Sequence, residues 1–394
     1  MKLETLAVHA GDRKKLGDYV PVTTPIFSAA SFSYERMEDL DRVFSDEMPG
    51  QGYSRYGNPT SAALEEQMVE LEGGDLAVAT SSGMAAIHMG ILATLTDRRK
   101  SIVAANVLYG QTFVLLMNVL EPSGVSVRFA DPCDLEAFET AVEEHSPACV
   151  LLETISNPLL RVPPVDRLTA IAHKHGAQVI VDATFTTPVM TRPLRQGADF
   201  VVHSVSKYLA GHGDVLGGIV VTQEEFRPLV QSLTRTIGPN LGPFEAYLTM
   251  RGIKSLPLRI ERQCENAIKV ARWLGEHPRV ERVFFPGDPD HPDAETVRRL
   301  FPEGKFGAMV SFEIKDAARE EIFAFMDSLK LVVRATSLGD VHTMMLYPAM
   351  SSHRDLAPKH RERLGIRDNL VRLSVGIEAP EDIIADLEQA LGRT

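Results

Sequence analysis

The sequence predicts an α/β protein with a mostly parallel central sheet and a smaller C-terminal α+β domain. Three observations carry that prediction. Seven short apolar runs follow one another, LAVAT, SIVAA, VSVRFA, ACVLLET, AQVIVDAT, ADFVVHSV and GGIVV. Amphipathic stretches such as DLEAFETAVEEH and VDRLTAIAHKHG lie between most of them. That alternation builds a largely parallel sheet covered on both faces. Past about residue 245 the pattern changes. RVERVFF, AMVSFEI, LVVRAT and VRLSVGI read as strands joined by short connections.

In chain order, residues 1–50 are rich in turn residues and lack sustained periodicity. They read as an arm lying over another surface. NPTSAALEEQMVELEGG then opens a helix, with Asn58-Pro59 before it, Thr60 as a capping residue and Gly73-Gly74 as its stop. Residues 51–245 form the strand–helix domain. A helical region runs from about Phe244 to His277 and bends near Pro257. Residues 246–394 form the second domain.

The 394 residues are 44% hydrophobic, 24% charged and 7% aromatic, which suits a globular protein with a sizeable core. A formal charge of −12 argues against nucleic acid as a partner. Cys133, Cys149 and Cys264 lie far apart without metal-binding spacing and read as reduced thiols. The N-terminus has no apolar signal core and no stretch is long enough to span a membrane, so the expected location is the cytoplasm.

Chemistry concentrates in three places. ATSSGMAAIHMGILATL is a strand end, a Ser-Ser-Gly turn and a helix start, and the amides near Gly83 and Met84 form an anion site. Many strand-to-helix turns share that composition. Asp182, in QVIVDATFTTP, ends an apolar strand, where open α/β sheets place ligands. Its partner is a helix cap, an arginine or a cationic ring nitrogen. Lys207 ends ADFVVHSVSK, flanked by Ser204 and Ser206. A lysine there either snorkels to solvent or is desolvated and nucleophilic. Taken together and in this order, the three match pyridoxal 5′-phosphate. The helix start takes the phosphate, the aspartate holds the pyridinium, and the lysine forms the Schiff base.

The chain resembles the Cys/Met-metabolism family of PLP-dependent trans-sulfuration enzymes. That group includes methionine γ-lyase, cystathionine γ-lyase, cystathionine γ-synthase and the O-acylhomoserine sulfhydrylases. YSRYGNPT, SSGMAA, LYGQT, ETISNP, VDATF, SVSKY and SLGD carry the resemblance, which extends over essentially the whole chain. It implies an aspartate-aminotransferase-like fold (fold type I). It also implies that Lys207 is the Schiff-base lysine and that Asp182 pairs with the pyridinium. Gly83 and Met84 amides, with the Ser204 and Ser206 hydroxyls, would hold the phosphate. Tyr109 would stack on the ring and move a proton at the leaving group. Tyr53 and Arg55 would reach the cofactor phosphate of a neighbouring subunit, in a homotetramer built as a dimer of dimers. Asn157, Ser337 and Arg372 would hold the substrate carboxylate and the edge of the cofactor.

The implied reaction is γ-elimination from methionine, homocysteine or cystathionine, giving a 2-oxo acid, ammonia and a thiol. The alternative is γ-replacement by a cystathionine γ-synthase or O-acylhomoserine sulfhydrylase. GHGD and SLGD look like methionine γ-lyase. Gln111, Thr336, Ala183 and His342 stand where the lyases usually carry other residues, which leaves the substrate open. His342 and His353 read as structural or surface residues rather than substrate contacts. A non-catalytic protein on the same fold would typically lack the lysine or aspartate, and this chain keeps both. No GxGxxG follows the first strand, so a nicotinamide fingerprint is missing.

Overall fold

The structure, a computed structural model, describes every residue except 96–98, 352–353, 355–360, 362–363 and 393–394. The first fifty residues contain two helices that sequence periodicity did not reveal, α1 (Leu3–His9) and α2 (Met37–Phe44). Only Leu6 and Ala7 of α1 are buried, and α2 buries nothing within the chain. Helices this short carry too few apolar repeats to register as a pattern.

Helix α3 (Pro59–Glu72) starts differently from the sequence expectation. The cap is Asn58, whose side chain accepts the Thr60 amide at 2.9 Å, with Pro59 in the first turn. Thr60 instead fastens the arm: its hydroxyl donates to the Pro25 carbonyl at 2.9 Å and accepts the Phe27 amide at 2.9 Å. The helix stops at Gly73, whose φ of 81° is left-handed.

All seven apolar runs are strands: β1 (Leu76–Thr80), β2 (Ser101–Ala105), β3 (Ser126–Ala130), β4 (Cys149–Glu153), β5 (Gln178–Asp182), β6 (Phe200–Ser204) and β7 (Gly218–Thr222). They form one sheet in the order β1-β7-β6-β5-β4-β2-β3, parallel except where β7 lies between β1 and β6. Helices α4 (Gly83–Thr94), α5 (Gly110–Val114), α6 (Leu135–His145), α7 (Val165–Lys174) and α8 (Thr187–Met190) interleave with the strands, and α9 (Arg227–Ile237) follows them. Both faces are covered. Phe200 and Val202 of β6 join the core that holds Ile87 of α4 and Leu168 of α7. Val201 points the other way, into a core with Leu64 of α3. This explains why the strands read as unbroken apolar runs rather than as alternation.

The expected bent helix is two helices, α10 (Pro243–Ile253) and α11 (Leu256–Glu276). The break falls at Lys254-Ser255, before Pro257. The proline occupies the first turn of α11, where a missing N–H costs no bond. A second, five-stranded sheet follows: β8 (Val280–Phe284), β9 (Met309–Ile314), β10 (Val333–Arg334), β11 (Met344–Leu346) and β12 (Leu370–Ser374), in the order β10-β11-β12-β9-β8. Three-residue β11 had no sequence signature. α12 (Ala294–Leu300), α13 (Arg319–Ser328) and the terminal helix Pro380–Leu391 complete this part. Among the described residues, no helix is long and apolar enough to cross a membrane.

Candidate active site

Parallel strands β4, β5 and β6 end at one edge of the first sheet, so their last residues, Glu153, Asp182 and Ser204, face a common cleft. The cleft holds about 420 Å³. The N-terminus of α4 forms one wall. Its cap, Ser82, accepts the Ala85 amide on Oγ at 3.1 Å and the Ala86 amide on its carbonyl at 3.1 Å. The amides of Gly83 and Met84, the other two donors of that first turn, border the cleft. Backbone is packed closely here. A Cβ on Gly83 would come within 2.9 Å of Ser204 Cβ, and one on Gly218 within 2.2 Å of the Ser82 carbonyl oxygen. Only glycine allows that approach.

Lys207 follows β6, and its Nζ donates to Ser337 Oγ at 2.9 Å. Burial, and then the charge of Arg372, lower its pKa to about 8. Asp182 accepts the Thr184 amide on Oδ1 at 2.9 Å. Burial raises its pKa, opposed by the bonds from Thr184 and by the charge of His203. Arg372 comes from β12 in the second sheet and is 3% exposed. Its Nη1 donates to Asn157 Oδ1 at 2.7 Å and its Nη2 reaches the Ser337 carbonyl at 3.4 Å. Its Nε is buried and, among the described residues, has no hydrogen-bond partner. A buried guanidinium with an unused donor is primed for an anionic ligand. Tyr109 caps α5 at the cleft rim, 39% exposed, and burial raises the pKa of its phenol.

The structure therefore brings together Gly83, Met84, Tyr109, Asn157, Asp182, Ser204, Lys207, Ser337 and Arg372 from distant parts of the chain. Three predicted residues lie apart. The Ser206 hydroxyl is turned onto Gly217, accepting its amide at 2.9 Å and donating to its carbonyl at 3.3 Å. Tyr53 and Arg55 do not line the cleft. Arg55 bonds the Arg235 carbonyl, lies over the Tyr53 and Tyr56 rings and borders a separate cleft of about 530 Å³. Gln111 and Thr336 line the main cleft. His342 does not: its Nδ1 pairs with Asp340 Oδ1 at 2.9 Å in a local turn. His353 lies outside the described residues.

Sequence reading missed Glu153, Ser82 and Thr184. Glu153 sits inside ETISNP, but a strand-end carboxylate carries no signal of its partner, the Tyr109 amide 44 positions away. A larger cleft, about 970 Å³, lies elsewhere, and two of its polar side chains are engaged within the protein. Arg161 is forked onto Asp293 at 2.6 and 2.8 Å, and His291 joins the Leu160 carbonyl and the Asp293 amide.

The model of one family, Cys/Met metabolism PLP-dependent enzyme, matches residues 4–392. The chain belongs to that family. It is 43% identical over 392 residues to a Fusobacterium nucleatum subsp. polymorphum L-methionine gamma-lyase, covering 99% of this chain and 98% of that protein. It is 37% identical to the O-succinylhomoserine sulfhydrylase of Pseudomonas aeruginosa, over 98% of this chain and 94% of that one. Among solved structures, cystathionine gamma synthase from Xanthomonas oryzae pv. oryzae, in complex with aminoacrylate and cysteine, superposes with a TM-score of 0.93. The two are 36% identical, and the match covers 100% of this chain and 98% of that one. The fold is thus that of the PLP-dependent trans-sulfuration enzymes, and pyridoxal 5′-phosphate is the cofactor. The cleft fits it: an anion-binding helix start, a buried carboxylate, and an amine of lowered pKa share one wall-to-wall space.

Amine reactivity gives a pH prediction. Only the uncharged amine attacks a carbonyl, so protein stripped of cofactor should recapture PLP at a rate that rises with pH. The rate should level off above about 8, where Lys207 has lost its proton. A rate still climbing at about pH 10, as for an ordinary lysine, would contradict the lowered pKa. Stopped-flow absorbance reads it.

Proposed function

We propose that this enzyme is a carbon–sulfur γ-lyase. It would act on methionine, homocysteine or cystathionine and release a 2-oxo acid, ammonia and a thiol. The observation that supports this most is the company Lys207 keeps. An amine of lowered pKa, a buried guanidinium and a phenol border one cleft of amino-acid size. The relative named L-methionine gamma-lyase, similar along nearly its whole length, points the same way.

The bound cofactor supplies an electron sink for charge that develops next to the substrate nitrogen. The remaining work falls to side chains. Lys207 would hold the cofactor covalently and would serve as the base that takes the proton at the substrate Cα. Asp182 keeps the ring nitrogen protonated through its charge. The Gly83 and Met84 amides and the Ser204 hydroxyl bind phosphate. Arg372, oriented by Asn157, grips the substrate carboxylate beside Ser337. Tyr109 gives a proton to the departing sulfur.

A second reading, γ-replacement on an activated homoserine, draws on the sulfhydrylase and synthase similarities. One assay separates the two. Purified holoenzyme is offered methionine, homocysteine, cystathionine and O-acylhomoserines, each with and without a thiol. Release of 2-oxo acid and ammonia from a sulfur amino acid without added thiol is the expected result. Turnover confined to an O-acyl ester plus thiol would replace this reading with the second.

In the same reading Tyr53 and Arg55 serve the cofactor phosphate of a neighbouring copy, within a homotetramer. Both lie near the exposed arm, and Tyr53 is 41% exposed in the single chain. Mixing Arg55→Ala with Lys207→Ala should therefore restore activity. In a mixed dimer one site carries both defects and the other neither. No recovery despite demonstrated subunit exchange would mean that Arg55 acts within its own chain. Hydrogen bonds to a charged phosphate contribute about 1.5–3 kcal/mol each, so Arg55→Ala should also loosen PLP.

A further inference from the structure

Glu153 ends β4, buried in the cleft wall, and its Oε1 accepts the Tyr109 backbone amide at 2.6 Å. Tyr109 is the residue from which α5 starts, and its carbonyl takes the Thr112 and Phe113 amides at 2.8 and 3.2 Å. That helix runs straight on into a π-helical stretch, Leu115–Leu120, and the phenol stands partly exposed at the rim. A contact that fixes the Tyr109 amide thus fixes where the phenol stands. Glu153 also lies in register with Asp182 on β5. Paired residues of neighbouring parallel strands face the same side, with strands about 4.8 Å apart. Two neighbouring carboxylates with little access to solvent each oppose the other's ionisation.

We propose that Glu153 is a positioning residue of this active site: as an uncharged acid it holds the Tyr109 main chain, and it leaves Asp182 as the anion of the pair. The groups facing the pair support that division. From α5 Glu153 receives one amide, that of Tyr109, while burial and then the Asp182 charge push its pKa well up. Asp182 has the Thr184 bonds and, from β6, the charge of His203. His203 is itself buried against Glu72 at 2.6 Å. Lys207 and Arg372 border the same cleft. An uncharged carboxyl still accepts an amide hydrogen, so the hold on Tyr109 does not need the charge.

This proposal rests on the reading of Tyr109 as proton donor, and the test separates the two. Holoenzymes carrying Glu153→Gln, Glu153→Ala, Tyr109→Phe and the Glu153→Ala/Tyr109→Phe pair are compared for kcat, KM and the pH dependence of cofactor absorbance. Glu153→Gln, neutral and isosteric, should stay within about threefold of the parent in kcat with the same absorbance profile. Glu153→Ala should lose about tenfold or more in kcat with KM little changed. In the Tyr109→Phe background the same change should add less than about threefold, because the residue it positions is already disabled. Glu153→Ala at parental kcat, Glu153→Gln as impaired as Glu153→Ala, or an undiminished loss in the Tyr109→Phe background would each overturn the proposal. A fully active Tyr109→Phe would overturn the reading of Tyr109 and this proposal with it. If Glu153→Ala does not fold, Glu153→Gln decides by its kcat alone.

Discussion

Replacing Lys207 by alanine is expected to abolish turnover while leaving the fold in place. In the proposed mechanism the substitution removes both the amine that holds the cofactor and the group that takes the α-proton. General base catalysis alone contributes on the order of 10²–10⁴-fold, so the loss should reach at least that range. Among the described residues the side chain is anchored by one hydrogen bond, to Ser337 Oγ. Its removal relieves the cost of burying a charge near Arg372 rather than breaking the core. Circular dichroism and the melting temperature should stay near those of the parent, and steady-state product formation should fall to background. Turnover within tenfold of the parent would assign the base elsewhere.

Asp182 should be nearly as sensitive, and to charge rather than shape. Asp182→Asn keeps the acceptor for the Thr184 amide but removes the negative charge. Asp182→Ala removes both. If the charge keeps the ring nitrogen protonated, both variants should exchange the substrate α-proton slowly. The deficit should be on the order of 10²–10³-fold, the scale of one lost electrostatic partner in a dry site. Asp182→Ala should additionally retain PLP poorly. Exchange followed by NMR in D₂O gives the rates. Near-normal exchange in both would show that another group protonates the ring.

How much of this was legible in the sequence depended on the range of the interaction. The strands β1 to β7 were readable because burial on both faces demands continuous apolar runs, and the chain supplies them as LAVAT through GGIVV. The placement of Asp182, Ser204 and Lys207 at the cleft was readable because the first two end such strands and Lys207 follows one, where α/β sheets place their ligands. The capping of α3 was misread because Asn58 and Thr60 are both good caps. Contacts of Thr60 with Pro25 and Phe27, more than thirty positions earlier, decided between them. Helices α1 and α2 were too short for periodicity, and β11 shorter still. Ser206 was assigned by its place beside Lys207, yet the backbone at Gly217, eleven positions on, claims its hydroxyl. Glu153 was invisible for the same reason, since both its partners arrive through tertiary structure.

In the proposed enzyme Lys207 and the cleft around it hold the cofactor and do the chemistry. Borohydride reduction of the purified holoenzyme, followed by peptide mass mapping, tests it most directly. One pyridoxyl-modified lysine is expected, Lys207, with the modification missing from Lys207→Ala. Modification at a different lysine, or an active holoenzyme with Lys207 unmodified, would contradict it.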